Sequence, residues 1–262
     1  YCAAGCWTEA ASLWNVAIAE GSVTPMTYYY LGWCLVQGKL SGADQAFADA
    51  ADACPDYCFP NRLEAILALQ CAMEQNPKDA KAPYYLGNLY YDKRQYDLAL
   101  EAWETSAGLD DKFPTIWRNL ALANFNKKDE EATAIEYMER AFQLDTTDAR
   151  VLMELDQLYK RVRRPHSERL AFLQQYPELI AQRDDLVLEE ITLLNQTGDY
   201  EKAKTLLDAH IFHPWEGGEG KVPGQYQFAR VELAKKALEA GNYSEAVSLL
   251  AECLEYPHHL GE

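Results

Sequence analysis

The sequence has no apolar run near the roughly 18–20 residues that a bilayer-spanning helix needs. A membrane partner is therefore not expected. Positive charge is scarce: 24 Lys and Arg stand against 41 Asp and Glu, for a net charge of −17. Such a surface repels a phosphate backbone, which excludes nucleic acid as a partner. The one basic cluster, "KRVRRPH" at 160–166, falls at a predicted helix end, where cations complement the helix dipole. No basic stretch followed by an apolar segment opens the chain, so no secretory leader is visible. The seven cysteines are Cys2, Cys6, Cys34, Cys54, Cys58, Cys71 and Cys253, and no C-x-x-C occurs among them. The closely spaced pairs Cys2/Cys6 and Cys54/Cys58 have no neighbouring histidine to complete a zinc set. They read as reduced, buried small hydrophobes in a cytoplasmic protein. No metal and no cofactor is expected. Nor does any stretch alternate apolar and polar residues as a half-buried strand would.

What the chain does have is internal repetition. The stretch "APYYLGNLYYDKRQYDLALEAWETSAGLDD" at 82–111 carries Leu86-Gly87, Tyr90, Tyr96, Ala99, Trp103 and Ser106. Leu86, Gly87 and Tyr90 share one face of a first helix, and Ala99, Trp103 and Ser106 share one face of a second. The small residues let the two helices approach, and the large ones fill the space between pairs. This resembles the tetratricopeptide repeat, W-x2-L-G-x2-Y, then A-x3-F, then P, over about 34 residues. The opening aromatic is displaced by one, with Pro83 in its place.

Further copies follow the same spacing. Tyr28, Leu31-Gly32, Leu35, Ala43, Phe47, Ala50 and Pro55 form one, and Trp117, Leu120-Ala121, Ala134, Met138 and Ala141 another. Leu152, Leu155, Tyr159, Phe172 and Pro177 form a weaker one. Gly198, Tyr200, Ala203 and Leu207 mark the next, and Gly241, Tyr243, Ala246, Leu250 and Cys253 the last. The predicted fold is all-α, a right-handed α-solenoid of helix-turn-helix repeats forming a single domain over 1–262. The predicted boundaries are a partial repeat at 1–22, repeats at 25–55, 80–113, 114–146, 149–178, 184–210 and 225–257, an atypical helix at 56–78, and a long inter-repeat loop at 211–224. A chain that starts in mid-repeat implies a domain excised from a longer protein.

In such an array the first helices line a concave side. The register places Tyr29, Trp33, Tyr84, Asn88, Tyr91, Arg118, Asn119, Phe125 and Arg150 there. An aromatic-rich lining offers large contact area with polar handles, suited to peptides and sugars. Some tetratricopeptide domains grip a C-terminal carboxylate from successive first helices. Asn88, Asn119 and Arg150 occupy comparable positions, but Tyr84 and Glu154 stand where the remaining cations would be needed.

The loop "FHPWEGGEGK" at 212–221 is the second candidate. It is too long for an ordinary helix–helix linker, and Gly217, Gly218 and Gly220 permit positive φ or close backbone approach. His213, Trp215, Glu216 and Glu219 are its candidate binding residues. Two carboxylates three residues apart on one loop are badly placed to flank a glycosidic bond, and Pro214 restricts a metal set built on His210 and His213. Two readings remain: a docking loop anchored by Trp215, which holds another domain or completes its ligand site, and a loop that caps the helix ends and buries Trp215 locally.

"FHPWEGGEGKVPGQY" followed by a final repeat and "EYPHHLGE" resembles the C-terminal part of a family of large bacterial proteins, as do "YCFPNRLEAI" and "DAKAPYYLGNLYYDKRQYDLALEAWE". In that family a galactose-mutarotase-like β-sandwich precedes a tetratricopeptide array. The resemblance implies a carbohydrate-related setting, and it transfers no catalytic residue to this chain. The expected function is a non-enzymatic protein–protein or interdomain interaction module, with protein or an adjacent domain as partner and carbohydrate as a second class of ligand. The alternatives are a loop 212–221 that completes a neighbouring carbohydrate-processing active site, and a free-standing peptide-binding adaptor.

Overall fold

The computed structural model describes every residue except Ser22, Glu216, Gly217, Tyr256 and Glu262. Among the described residues it is all-helical, with no strand. No helix among the described residues is long and apolar enough to cross a membrane. The chain divides into two compact units, Tyr1–Leu144 and Asp145–Glu262, where the sequence reading has one domain over 1–262.

Unit 1 opens with a short 3-10 turn, Cys2–Ala4, and helix α1 (Trp7–Ala19). Then come α2 (Pro25–Gln37), α3 (Ala43–Asp52), α4 (Glu64–Gln75), α5 (Lys81–Asp92), α6 (Tyr96–Leu109), α7 (Pro114–Ala123) and α8 (Glu131–Leu144). A π turn, Asn124–Lys128, continues α7. Helices α2 and α3, α5 and α6, and α7 and α8 pack as hairpins. The lone α4 lies against α2 and α5.

Unit 2 contains α9 (Ala149–Arg161), α10 (His166–Leu173), the single turn α11 (Pro177–Ile180), α12 (Asp184–Thr197), α13 (Tyr200–Ala209), α14 (Lys221–Glu239) and α15 (Tyr243–Glu252). A 3-10 turn, His258–Leu260, follows.

Local chemistry sets the helix starts. Thr24 N–H donates to Thr27 Oγ1 at 3.1 Å ahead of α2, whose first residue is Pro25. Pro needs no N–H at that position. Asp79 Oδ1 accepts from the Lys81 and Ala82 amides, and Asp148 Oδ1 from those of Arg150 and Val151. Each satisfies donors that a helix start leaves orphaned. Each hairpin turn needs a left-handed residue. Gly198 and Gly241 supply it in unit 2, while Lys39, Arg94, Asp129 and Arg163 take it with φ of 53–59° despite their side chains.

The small-residue logic of the repeats holds at its two tightest points. A Cβ on Gly32 would lie 2.6 Å from the Phe47 ring, and one on Gly87 would lie 2.4 Å from Trp103. Phe47 and Trp103 are buried on these glycine faces.

Two expectations change. The loop predicted at 211–224 ends earlier, because α14 begins at Lys221. Pro223 falls in its first turn, where a missing N–H costs nothing, so a residue that reads as a breaker belongs to the helix. The cysteines form no disulfide but are not uniformly buried: Cys54 is exposed, while Cys34, Cys58 and Cys71 are in the interior.

Candidate functional site

The predicted concave lining is largely core. Tyr29 is fully buried and donates its hydroxyl to Asp79 Oδ2 at 2.7 Å. Trp33, 7% exposed, lies edge-on to Trp7. Tyr84, 8% exposed, packs on Tyr85 and Phe113 with ring centroids 5.2 and 4.9 Å away. These three are corrected from groove to core. The physical reason is that each hairpin buries two faces, so an aromatic off the first packing face turns into the seam with the next hairpin.

Asn88 is committed as well. Its Oδ1 accepts from Trp103 Nε1 and from Asn119 Nδ2, both at 3.1 Å, tying two hairpins together. Asn88 and Asn119 therefore hold each other rather than a ligand carboxylate. Tyr91 sits between Tyr96 and Trp103. Arg118 and Phe125 are half-buried, each with a partner of its own. Arg150 is exposed and donates to Glu154 at 3.1 Å.

The loop after α13 is held by groups from elsewhere in unit 2. Asp184, the first residue of α12, accepts from the His213 amide at 2.7 Å. Its carboxylate also bonds His210 Nε2 at 2.7 Å and His213 Nδ1 at 3.0 Å. Burial pushes this carboxyl up, but the bonds from His210 and His213 outweigh it and hold it below the usual carboxylate range. Phe212 is buried, and its N–H donates to His259 O at 2.8 Å. His259 Nε2 lies 3.1 Å from Leu207 O. Gly261, at φ 83°, closes over Phe212, where a Cβ would meet the Phe212 carbonyl oxygen at 2.9 Å. The C-terminal turn thus straps the loop. Phe212 and His213 on the loop and His259–Gly261 at the turn, separate in sequence, meet in space.

Trp215 is half-buried, and its indole covers Gly218, where a Cβ would be 2.4 Å from the ring. A turn fixes this contact: Gly218 N donates to Trp215 O, and Lys221 N to Gly218 O, each at 3.0 Å. The indole stands between two clefts. One, of about 440 Å³, is lined by Pro214, Trp215, Gly218, Glu219, Val222 and Leu260 among others. The other, of about 500 Å³, is bounded by Arg183, Asp185, His210, His213 and Trp215. Arg183 holds Asp185 in a two-bond pair at 2.9 and 2.7 Å. Glu219 is exposed at the rim of the first cleft, and Glu216 lies outside the described residues. His213 turns its ring back onto Asp184, so it braces the loop. No group of three His, Cys, Asp or Glu side chains among the described residues could hold a metal ion. Neither Asp184 nor the His259–Gly261 strap is marked as a partner of the loop by sequence spacing. Only the His210/His213 pairing hinted at a shared acceptor.

Comparison with known proteins supports the fold. The tetratricopeptide repeat family model matches residues 61–112 and 84–149. Among solved structures, YrrB, described as "a TPR protein with an unusual peptide-binding site", superposes with a TM-score of 0.51 at 17% identity, over 71% of this chain and 91% of its own. The C-terminal part of a TPR repeat-containing protein from Cytophaga hutchinsonii gives the same TM-score and identity over 95% and 90%. The fold is that of a tetratricopeptide array.

Proposed function

We propose, with the tetratricopeptide array as premise, that this chain is a non-enzymatic interaction module that grips a protein partner or an adjacent domain through Trp215 and the clefts beside it. The observation that carries the reading is the indole fixed on Gly218 between two clefts, on a loop already braced by Asp184 and the C-terminal strap. Buried aromatics in well-formed pockets dominate interface energies. A loop held in its bound shape loses little entropy on docking. Peptide binding by YrrB is consistent with this class of role.

Peptides selected from a random display library against the intact chain should lose about 2 kcal/mol or more of binding on Trp215→Ala, with an unchanged Tm. Selected peptides that bind Trp215→Ala equally well would sink the reading. A second reading rests on Glu219 at the rim beside Trp215. An indole face and a carboxylate suit the apolar face and hydroxyls of a sugar, which would place the loop at the edge of a carbohydrate site completed by a neighbouring domain. A saturable change in Trp215 emission on adding mono- or disaccharides, absent in Trp215→Phe, would select it; no change with any sugar leaves the protein-docking reading.

A further inference from the structure

A cleft of about 660 Å³ in unit 1 lies between α6 and α8, with α7 beneath it. Its base is apolar and aromatic: Leu120, Trp117 and Tyr137, the two rings 5.4 Å apart between centroids. Trp117 donates its indole N–H to Asp111 O at 2.9 Å, so the ring is fixed. The α6 wall carries Gly108, and nothing lies within 4 Å of where its Cβ would be, so the space there is open. Glu104 on α6 and Glu136 on α8 face this cleft from opposite sides. Neither has a cationic partner among the described residues, whereas Arg140, the one cation in the lining, is paired with Asp111 at 3.4 Å. Burial pushes the Tyr137 hydroxyl up, and Glu104, Glu136 and Glu130 push it further, which marks a negative field over the aromatic base.

Leu120, Trp117 and Tyr137 belong to the packing of the unit 1 core, but that packing makes no use of the exposed carboxylates of Glu104 and Glu136 at the rim. Two like charges across an aromatic pair are mutually unfavourable, and a neutral apolar occupant would bury them unpaired. An anionic occupant is repelled. A cation on an alkyl stem answers all three features. The stem covers the apolar base, the charge meets the ring faces, and the carboxylates neutralise it. The net charge of −17 steers such a partner toward the chain.

We propose that this cleft binds a basic peptide segment, laying one arginine or lysine side chain along Trp117 and Tyr137 with its charged head between Glu104 and Glu136. The site is separate from the Trp215 loop and stands or falls independently of it.

The probe is a blocked five-residue alanine peptide with one central arginine, titrated into the intact chain. The Trp117 indole N–H resonance, assigned with Trp117→Phe, reports binding. Glutamate and norleucine peptides of the same length serve as controls. The arginine peptide should shift the resonance saturably, and the controls should not. Glu104→Gln with Glu136→Gln should weaken binding about tenfold, and so should Gly108→Met, which fills the mouth without altering charge. The matched surface pair Glu9→Gln with Glu20→Gln, and Trp215→Ala, should leave it unchanged. No saturable shift would overturn the proposal. So would equal weakening by the Glu9/Glu20 pair, which would mean diffuse attraction to an acidic surface, or loss in Trp215→Ala.

Discussion

The two units solve one packing problem by different chemistry. In unit 1 large aromatics cover glycines: Phe47 on Gly32 and Trp103 on Gly87. In unit 2 the interior is tied by ions. Arg169, with its side chain 1% exposed, bonds Asp156 through Nε at 3.0 Å and Nη2 at 2.6 Å, and reaches Glu189 at 2.6 Å. Lys160 closes the set on Glu189. Arg230 repeats the device, bonding Asp208 and Glu252 while lying over the Tyr226 ring. Where the repeat keeps its small–large pattern, shape alone aligns the helices. Where the pattern decays, paired charges select the geometry. Dispersion in a glycine-faced contact is steep with distance but indifferent to pH, whereas a buried pair depends on both partners staying charged.

The largest effect that would separate the units is Arg169→Met. It strands Asp156 in the interior, leaves Glu189 with Lys160 alone, and should cost about 3–5 kcal/mol. Hydrogen exchange should show amides of α9, α10 and α12 losing protection while those of unit 1 keep theirs. The triple change Arg169→Met, Asp156→Leu, Glu189→Leu should recover much of the loss. A cost under about 1 kcal/mol for the single variant would mean the ions do not organise unit 2.

Next in size, Gly87→Ala drives a methyl into Trp103 and should cost about 1–3 kcal/mol. The loss should appear as weaker protection in α5 and α6, and an unchanged midpoint would break the shape argument.

The smallest effect is acid sensitivity. Burial raises Glu189 and Asp208, but Lys160 with Arg169, and Lys204 with Arg230, outweigh it, so both carboxyls lie below their usual range. A depressed folded-state pKa contributes stability above the unfolded value, near 4, which is lost as pH falls through the folded value. Asp156, bonded to the same Arg169, goes the other way: burial outweighs Arg169 and raises it, so its contribution is present at low pH. In unit 1 Asp79 behaves likewise. Burial outweighs the bonds from Tyr29 and the backbone amides and raises it, so its contribution is present at low pH and fades as pH rises through the folded value. Between about pH 5 and pH 3, unit 2 should lose exchange protection before unit 1 does. Loss in the reverse order would contradict the assignment.

The parts that were legible in the sequence are local ones. Gly87 and Trp103 belong to one hairpin, and their spacing alone puts them on facing sides. The ion network was not legible, because Arg169 meets partners 13 and 20 positions away on two other helices. The same distance effect hid Asp184, which is 26 and 29 positions from the histidines it binds. Tyr29, Trp33 and Tyr84 show a subtler limit. Periodicity tells which residues share a face, but not whether a neighbouring hairpin covers that face. The left-handed turns at Arg94, Asp129 and Arg163 carry no glycine to announce them.

The sequence by itself determined the all-helical repeat and the oddity of the loop around Trp215. Both follow from composition and short-range spacing. Tertiary structure decided which aromatics are core, how far α14 extends into the expected loop, and that the C-terminal turn straps Phe212. It also placed two glutamates across an aromatic cleft. These depend on contacts between segments far apart in the chain, where burial and pairing rather than local propensity set the free energy.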